Sequence, residues 1–179
     1  LASLTTRLID GLDLVIKKEN PDYVVVQGDT TTALCGALAA FYNHVKIIHI
    51  EAGLRSHDNQ NPFPEEANRV LIGKLAHMHF APTPLAAKNL KKEGITKNVF
   101  VVGNTGIDAL FLGLKLIKNK EMNVFCKPYH INFKDKIIFV TCHRRENFGK
   151  PFESICAALL EIVKNHKDAR RESTGQVGL

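Results

Sequence analysis

Three short stretches of this chain carry the residues best suited to moving protons. Gly28-Asp29-Thr30 follows the apolar run Tyr23-Val24-Val25-Val26, Glu51-Ala52-Gly53 follows the run Val45 to Ile50, and Glu65-Glu66 follows Pro62-Phe63-Pro64. A carboxylate at the end of an apolar strand is placed to take or give a proton. A fourth stretch, Thr141-Cys142-His143-Arg144-Arg145-Glu146, follows the apolar run Ile137 to Val140 and precedes a helical pattern. A histidine and two arginines between a strand and a helix suit contact with phosphate or diphosphate. Taken together, the four stretches point to acid–base chemistry on a phosphate-bearing ligand, in a cleft between two α/β domains.

Each stretch also has a plainer reading. Asp29 can cap the helix that follows it, although Thr30 can do the same and leave Asp29 free. Glu65 and Glu66 fall in a first helical turn after proline, where the helix dipole favours acids by roughly 0.3–1 kcal/mol. Arg69, four residues after Glu65, can pair with it along the helix. Glu51 has no comparable structural explanation and is read as functional. His49, His57, His77 and His79 show no metal-ligand spacing and read as polar loop or core residues. The four cysteines form no CxxC pair, and Cys35 and Cys156 sit in apolar helical patterns as small core residues. There is no GxGxxG, no P-loop lysine after GDTTT and no GxSxG, so neither a usual nicotinamide site nor a metal site is expected.

The elements that must position these residues alternate strand and helix. Leu4, Leu8, Leu12, Val15 and Ile16 recur at helical spacing, and Asn20-Pro21 ends that helix. Strands are expected at Tyr23–Val26, Val45–Ile50, Met78–Ala81 and Val99–Val102, with helices at Ala33–Tyr42, Glu65–His77 and Pro84–Glu93 between them. A further helix bears Ile107, Leu110, Phe111 and Leu114. On the Glu65 helix, Ala67, Val70, Leu71 and Leu75 share the apolar face. The first two strands are apolar throughout and read as buried on both faces, as in a parallel sheet covered by helices. Ligands of such α/β sheets sit beyond the carboxyl ends of the strands, where Asp29 and Glu51 lie.

The alternation breaks between Lys118 and Lys136, which reads as an interdomain connection. Residues 1–117 are then the later part of an N-terminal Rossmann-like domain, and 137–179 the start of a second. That second stretch holds one strand and one clear helix, with Phe152, Ile155, Cys156, Leu159, Leu160 and Val163 in register, too little for its own core. The chain lacks an initial Met and loses periodicity over Ala169–Leu179, so it reads as truncated at both ends.

With 179 residues, 45% hydrophobic and 23% charged, the chain reads as a soluble globular protein. Its net charge of +6 comes largely from scattered lysines, which read as solvated helix faces and not as a nucleic-acid surface. A mild positive field also suits an anionic small ligand. No apolar run is long enough to span a membrane, and a cytoplasmic setting is expected.

In order along the chain, VVQGDTTT, HIEAGLRS, PFPEEANR, HFAPT, VVGNTGIDAL and VTCHRRENFG resemble the bacterial non-hydrolysing UDP-N-acetylglucosamine 2-epimerases, from about Leu4 to about Lys167. The resemblance implies two Rossmann-like domains in a glycosyltransferase-B-like architecture, incomplete in this chain. It also implies interconversion of UDP-GlcNAc and UDP-ManNAc without a cofactor. Carried over by motif, the implied catalytic set is Asp29, Glu51, Glu65 and His143. Arg144, Arg145, Glu66 and Arg69 are implied in binding the substrate, with Glu66 and Arg144 near a second, activating nucleotide-sugar site of some members. The partners implied are UDP-GlcNAc and UDP, and a homodimer is expected for the intact protein.

The family's first strand with its glycine-arginine phosphate loop, and most of the uridine-binding domain, have no counterpart here. The chain alone is therefore expected neither to turn over nor to bind UDP-GlcNAc tightly, and its sheet is expected to have an exposed edge. Alternatives are a hydrolysing 2-epimerase that releases N-acetylmannosamine, and a non-catalytic nucleotide-sugar-binding remnant. A glycosyltransferase of similar fold is disfavoured, because clustered acids suit proton abstraction better than acceptor positioning.

Overall fold

A computed structural model describes residues 1–117, 138, 140, 141 and 148–165. His143, Arg144, Arg145, Cys126, Cys142 and half of the strand expected at 137–140 lie outside the described residues. The chain divides into two compact units, Leu1–Ala109 and Leu110–Leu179.

In the first unit, helix α1 (Ala2–Glu19) ends where Asn20 adopts a left-handed conformation and returns its N–H to the Ile16 carbonyl. Strand β1 (Tyr23–Gln27) leads to α2 (Thr31–Tyr42), β2 (Lys46–Ile50), α3 (Glu65–Leu75), β3 (Met78–Ala81), α4 (Pro84–Lys92) and β4 (Val99–Val101). Helix α5 (Thr105–Leu116) crosses the boundary between the units, and α6 (Lys150–Asn165) lies in the second. The α/β class expected from the sequence is the one found.

The four strands form one parallel sheet in the order β1-β2-β3-β4. Right-handed crossovers between strands laid down in that monotonic order bring α2, α3 and α4 to the same side of the sheet. Register partners share a face, so Val24, Val26, Ile47, His49 and His79 point to one side. That side holds the core: Val26 and Ile47 pack with Ile16 of α1, Ala33, Ala37, Ala39 and Ala40 of α2, and Ile72 of α3. The alanines of α2 carry little bulk, which lets the helix lie close on β1 and β2.

The opposite face differs from the expectation of strands buried on both sides. Val25 on β1 is 56% exposed and Phe100 on β4 47%, and Tyr23 on β1 is exposed as well. The monotonic strand order is the cause, because every crossover helix goes to the other face. Phe80 and Phe100 cover part of the bare side with a tilted ring contact, centroids 5.7 Å apart. Among the described residues, strand β1 also forms an open edge of the sheet, as anticipated.

Cys156 on α6, expected in a core, is exposed, whereas Cys35 on α2 is fully buried.

Candidate active site at the carboxyl end of the sheet

Parallel strands all end on one side, so the residues after β1 and β2 emerge together. Asp29 follows β1 by one residue and Glu51 follows β2 directly. Helix α3 runs back against the strands, which returns its first residue, Glu65, to the same end. The ladder itself continues into both corners: Gly28 N–H donates to the Ile50 carbonyl at 3.0 Å, and Ala52 N–H to the Phe80 carbonyl at 3.1 Å.

Glycine is needed at two places here. Gly28 has φ +72°, and a side chain on it would lie 3.2 Å from Glu51 Oε2, so the Glu51 carboxylate rests directly over the corner that carries Asp29. Gly53 has φ +89°, and a methyl group there would collide with the Ala86 carbonyl of α4. The buried Asn89 of α4 donates to the Gly53 carbonyl at 3.0 Å. These contacts dock the Glu51 turn onto α4. Glu51 itself is held at φ 64°, a conformation that disfavours residues with a side chain and that concentrates at functional sites.

The cap of α2 bears on the role of Asp29. Thr30 accepts the Ala33 N–H at 3.1 Å, so the helix is capped without the Asp29 carboxylate. That carboxylate instead faces Arg69 of α3, with Oδ2 3.3 Å from Nη2. Burial lifts the Asp29 carboxyl above the ordinary aspartate range. Arg69 opposes the shift, while the nearby negative charges of Glu65 and Glu66 reinforce it.

On α3 the buried positions are Glu66, Asn68, Ile72 and Gly73. This corrects the apolar face read from the sequence, since Leu71 is 51% exposed. The polar residues are turned inward because they have fixed partners. Glu66, 1% exposed, accepts the Ser56 N–H at 2.9 Å and the His57 N–H at 3.0 Å, and its Oε2 lies 3.3 Å from Arg69 Nε. Burial alone would raise its pKa, but the two backbone donors and Arg69 outweigh that and hold it low. Arg69 thus pairs with Glu66 and Asp29, not with the Glu65 carboxylate expected from their spacing; toward Glu65 it donates Nε to the main-chain carbonyl at 3.3 Å.

Three further contacts around these corners were not read from the sequence. Asn68 Nδ2 donates to the Asp29 carbonyl at 2.8 Å, and the buried His49 donates Nε2–H to the Gly28 carbonyl at 2.9 Å. Arg55, its side chain 1% exposed, forms a two-pronged bridge to Glu93 at the end of α4, with N–O distances of 2.6 and 2.8 Å. For Asn68 the available signal was a polar residue on the inward stripe it shares with Ile72 and Leu75.

The described residues therefore gather Asp29, Glu51, Glu65, Glu66 and Arg69 at one end of the sheet, while His143, Arg144 and Arg145 lie outside them. No group of three or more His, Cys, Asp or Glu among the described residues is arranged to hold a metal ion. No helix among them is long and apolar enough to cross a membrane.

The profile of the UDP-N-acetylglucosamine 2-epimerase family matches residues 1–170. The chain belongs to that family. A UDP-N-acetylglucosamine 2-epimerase of Campylobacter jejuni is 49% identical over 175 residues, covering 94% of this chain and 46% of the relative. Among solved structures, the Staphylococcus aureus MnaA–UDP co-structure is 46% identical with a TM-score of 0.83, over 93% of this chain and 44% of that one. The Neisseria meningitidis UDP-GlcNAc 2-epimerase bound to UDP-GlcNAc is 41% identical with a TM-score of 0.87, over 92% of this chain and 45% of that one. The chain thus spans about half the length of the epimerases it matches.

Proposed function

We propose that this chain supplies the acid–base half of a UDP-GlcNAc 2-epimerase, which interconverts UDP-GlcNAc and UDP-ManNAc. The observation that carries the reading is the gathering of Asp29, Glu51 and Glu65 from three elements at the carboxyl end of one sheet. A carboxylate there takes the proton from C2 of the sugar as the anomeric C–O bond breaks and UDP leaves with the bonding pair. The product is a glycal. A second acid returns a proton to the opposite face of C2 while UDP adds back to the anomeric carbon. One base cannot serve both faces of the same carbon, which is why acids from separate elements fit this chemistry.

The raised Asp29 carboxyl brings its affinity for a proton closer to neutrality, as a proton carrier needs. His143, with Arg144 and Arg145, would stabilise the charge on the departing diphosphate. Glu66 and Arg69 would serve the substrate through the loop and the acid they hold. The intact protein is read as a cytoplasmic homodimer made up of 1–117, a connection over 118–136 and a second domain from 137.

The test joins residues 1–165 of this chain to the remaining part of the C. jejuni relative and incubates the hybrid with UDP-GlcNAc in heavy water. UDP-ManNAc carrying deuterium at C2 is the expected product. Accumulation of free N-acetylmannosamine and UDP would replace the reading with the hydrolysing reaction. A folded hybrid that binds UDP yet exchanges no C2 hydrogen would leave a binding remnant. Residues 1–179 alone are expected to show no turnover in the same assay.

A further inference from the structure

The corner bearing Asp29 is fixed at more points than a strand-to-helix turn requires. The Gly28 carbonyl accepts from His49, a fully buried side chain of β2. The next carbonyl, that of Asp29, accepts from Asn68, itself 5% exposed, and the Asp29 carboxylate meets Arg69. Two consecutive carbonyls and one carboxylate are thus engaged by three side chains from two other elements. None of these bonds is needed to cap α2, which Thr30 already does. Arg69 is in turn held from behind by Glu66, whose other contacts secure the loop after Glu51. A carboxylate gripped on both its main chain and its side chain loses little freedom when a substrate arrives.

We propose that His49, Asn68 and Arg69 form a clamp that positions Asp29, with Asn68 and His49 setting its main chain and Arg69 its carboxylate. This rests on the reading of Asp29 as a proton carrier and goes beyond it by assigning positioning residues, Arg69 among them. Arg69 acts on the reaction through Asp29. The charged and titratable groups facing Asp29 are Arg69, Glu65 and Glu66 of α3, with Glu51 and His49 beside it at the end of β2. Of these, Arg69 is the cation that makes a close ion pair with it.

The test uses the 179-residue chain with carbon-labelled aspartate and follows the Asp29 carboxyl by NMR through a pH titration. Arg69→Gln should raise its midpoint by about one pH unit, and Arg69→Lys should restore most of the original value. Asn68→Ala should speed amide exchange at Gly28 by about tenfold, because one hydrogen bond holding the corner is lost. An Asp29 midpoint unchanged by Arg69→Gln in a folded chain would overturn the clamp. Should Arg69→Gln fail to fold, unchanged Gly28 exchange in Asn68→Ala overturns it equally. The titration needs no sugar nucleotide, so failure of the clamp and failure of the epimerase reading are separate results. In the active hybrid, Arg69→Gln should also move the acidic limb of the kcat/KM profile upward in pH, which loss of fold alone would not do.

Discussion

His49 is a titratable residue held out of water. It is fully buried, its Nε2–H is committed to Gly28, and its Nδ1 has no hydrogen-bond partner among the described residues. Burial pushes its pKa down to about 4, and the bond to Gly28 only partly offsets that. Between that value and the ordinary histidine range, the unfolded chain binds a proton that the folded chain refuses. Stability contributed by the neutral ring is therefore complete above about pH 6.5 and is lost as pH falls toward 4, about 3 kcal/mol in all. His79, also lowered chiefly by burial, acts in the same direction. Asp29, with its raised pKa, acts in the opposite one. Replacing His49→Gln keeps a donor for Gly28 and removes the titration. Denaturant unfolding from pH 7 to 4.5 should show a flatter decline for the variant, and parallel curves would refute the assignment.

Helix α4 performs at the level of elements what Arg69 does for one carboxylate. Its Ala86 carbonyl, Asn89 and Glu93 hold the loop between β2 and α3 along its length, through Gly53 and Arg55. The Arg55 guanidinium is out of water, so removing its partner strands a buried charge. Glu93→Gln should cost about 3 kcal/mol in urea unfolding. Lys17→Ala, which removes an exposed pair with Asp13, should cost less than about 1 kcal/mol by the same measurement. Near-equal losses would mean that burial does not decide the strength of these pairs.

How much of this was legible beforehand divides along a physical line. Strand and helix positions, and the Asp29, Glu51 and Glu65 corners, follow from local periodicity and turn chemistry. Thr30 as the cap was visible for the same reason. The inward turn of Glu66 and Asn68, and the choice of Arg69 between Glu65, Glu66 and Asp29, depend on backbone groups supplied by distant segments. Helical spacing sees only its own helix and therefore favoured Glu65. Cys156 was misplaced likewise, because an apolar stripe implies an opposing layer without supplying one.

At the scale of the first unit, a sheet clothed on one side presents Tyr23 and Val25 to solvent on β1, which is an open edge among the described residues, and Phe100 on β4 at the other end. An uncovered apolar edge is a template for pairing with further chains. The chain should self-associate at raised concentration. Val25→Lys, which puts a charge on the edge strand, should shift sedimentation velocity profiles toward monomer. A variant that associates as strongly as the parent would place the contact elsewhere.

The parallel register also sets a ruler. The corners that carry Asp29 and Glu51 leave adjacent strands, so the backbone enters them roughly 4.8 Å apart, the spacing of the sheet itself. That spacing belongs to the backbone, not to either side chain. Lengthening one corner by a single residue would shift its acid against the other and would also disturb the bonds from Gly28 to Ile50 and from His49 to Gly28 that tie the two corners together.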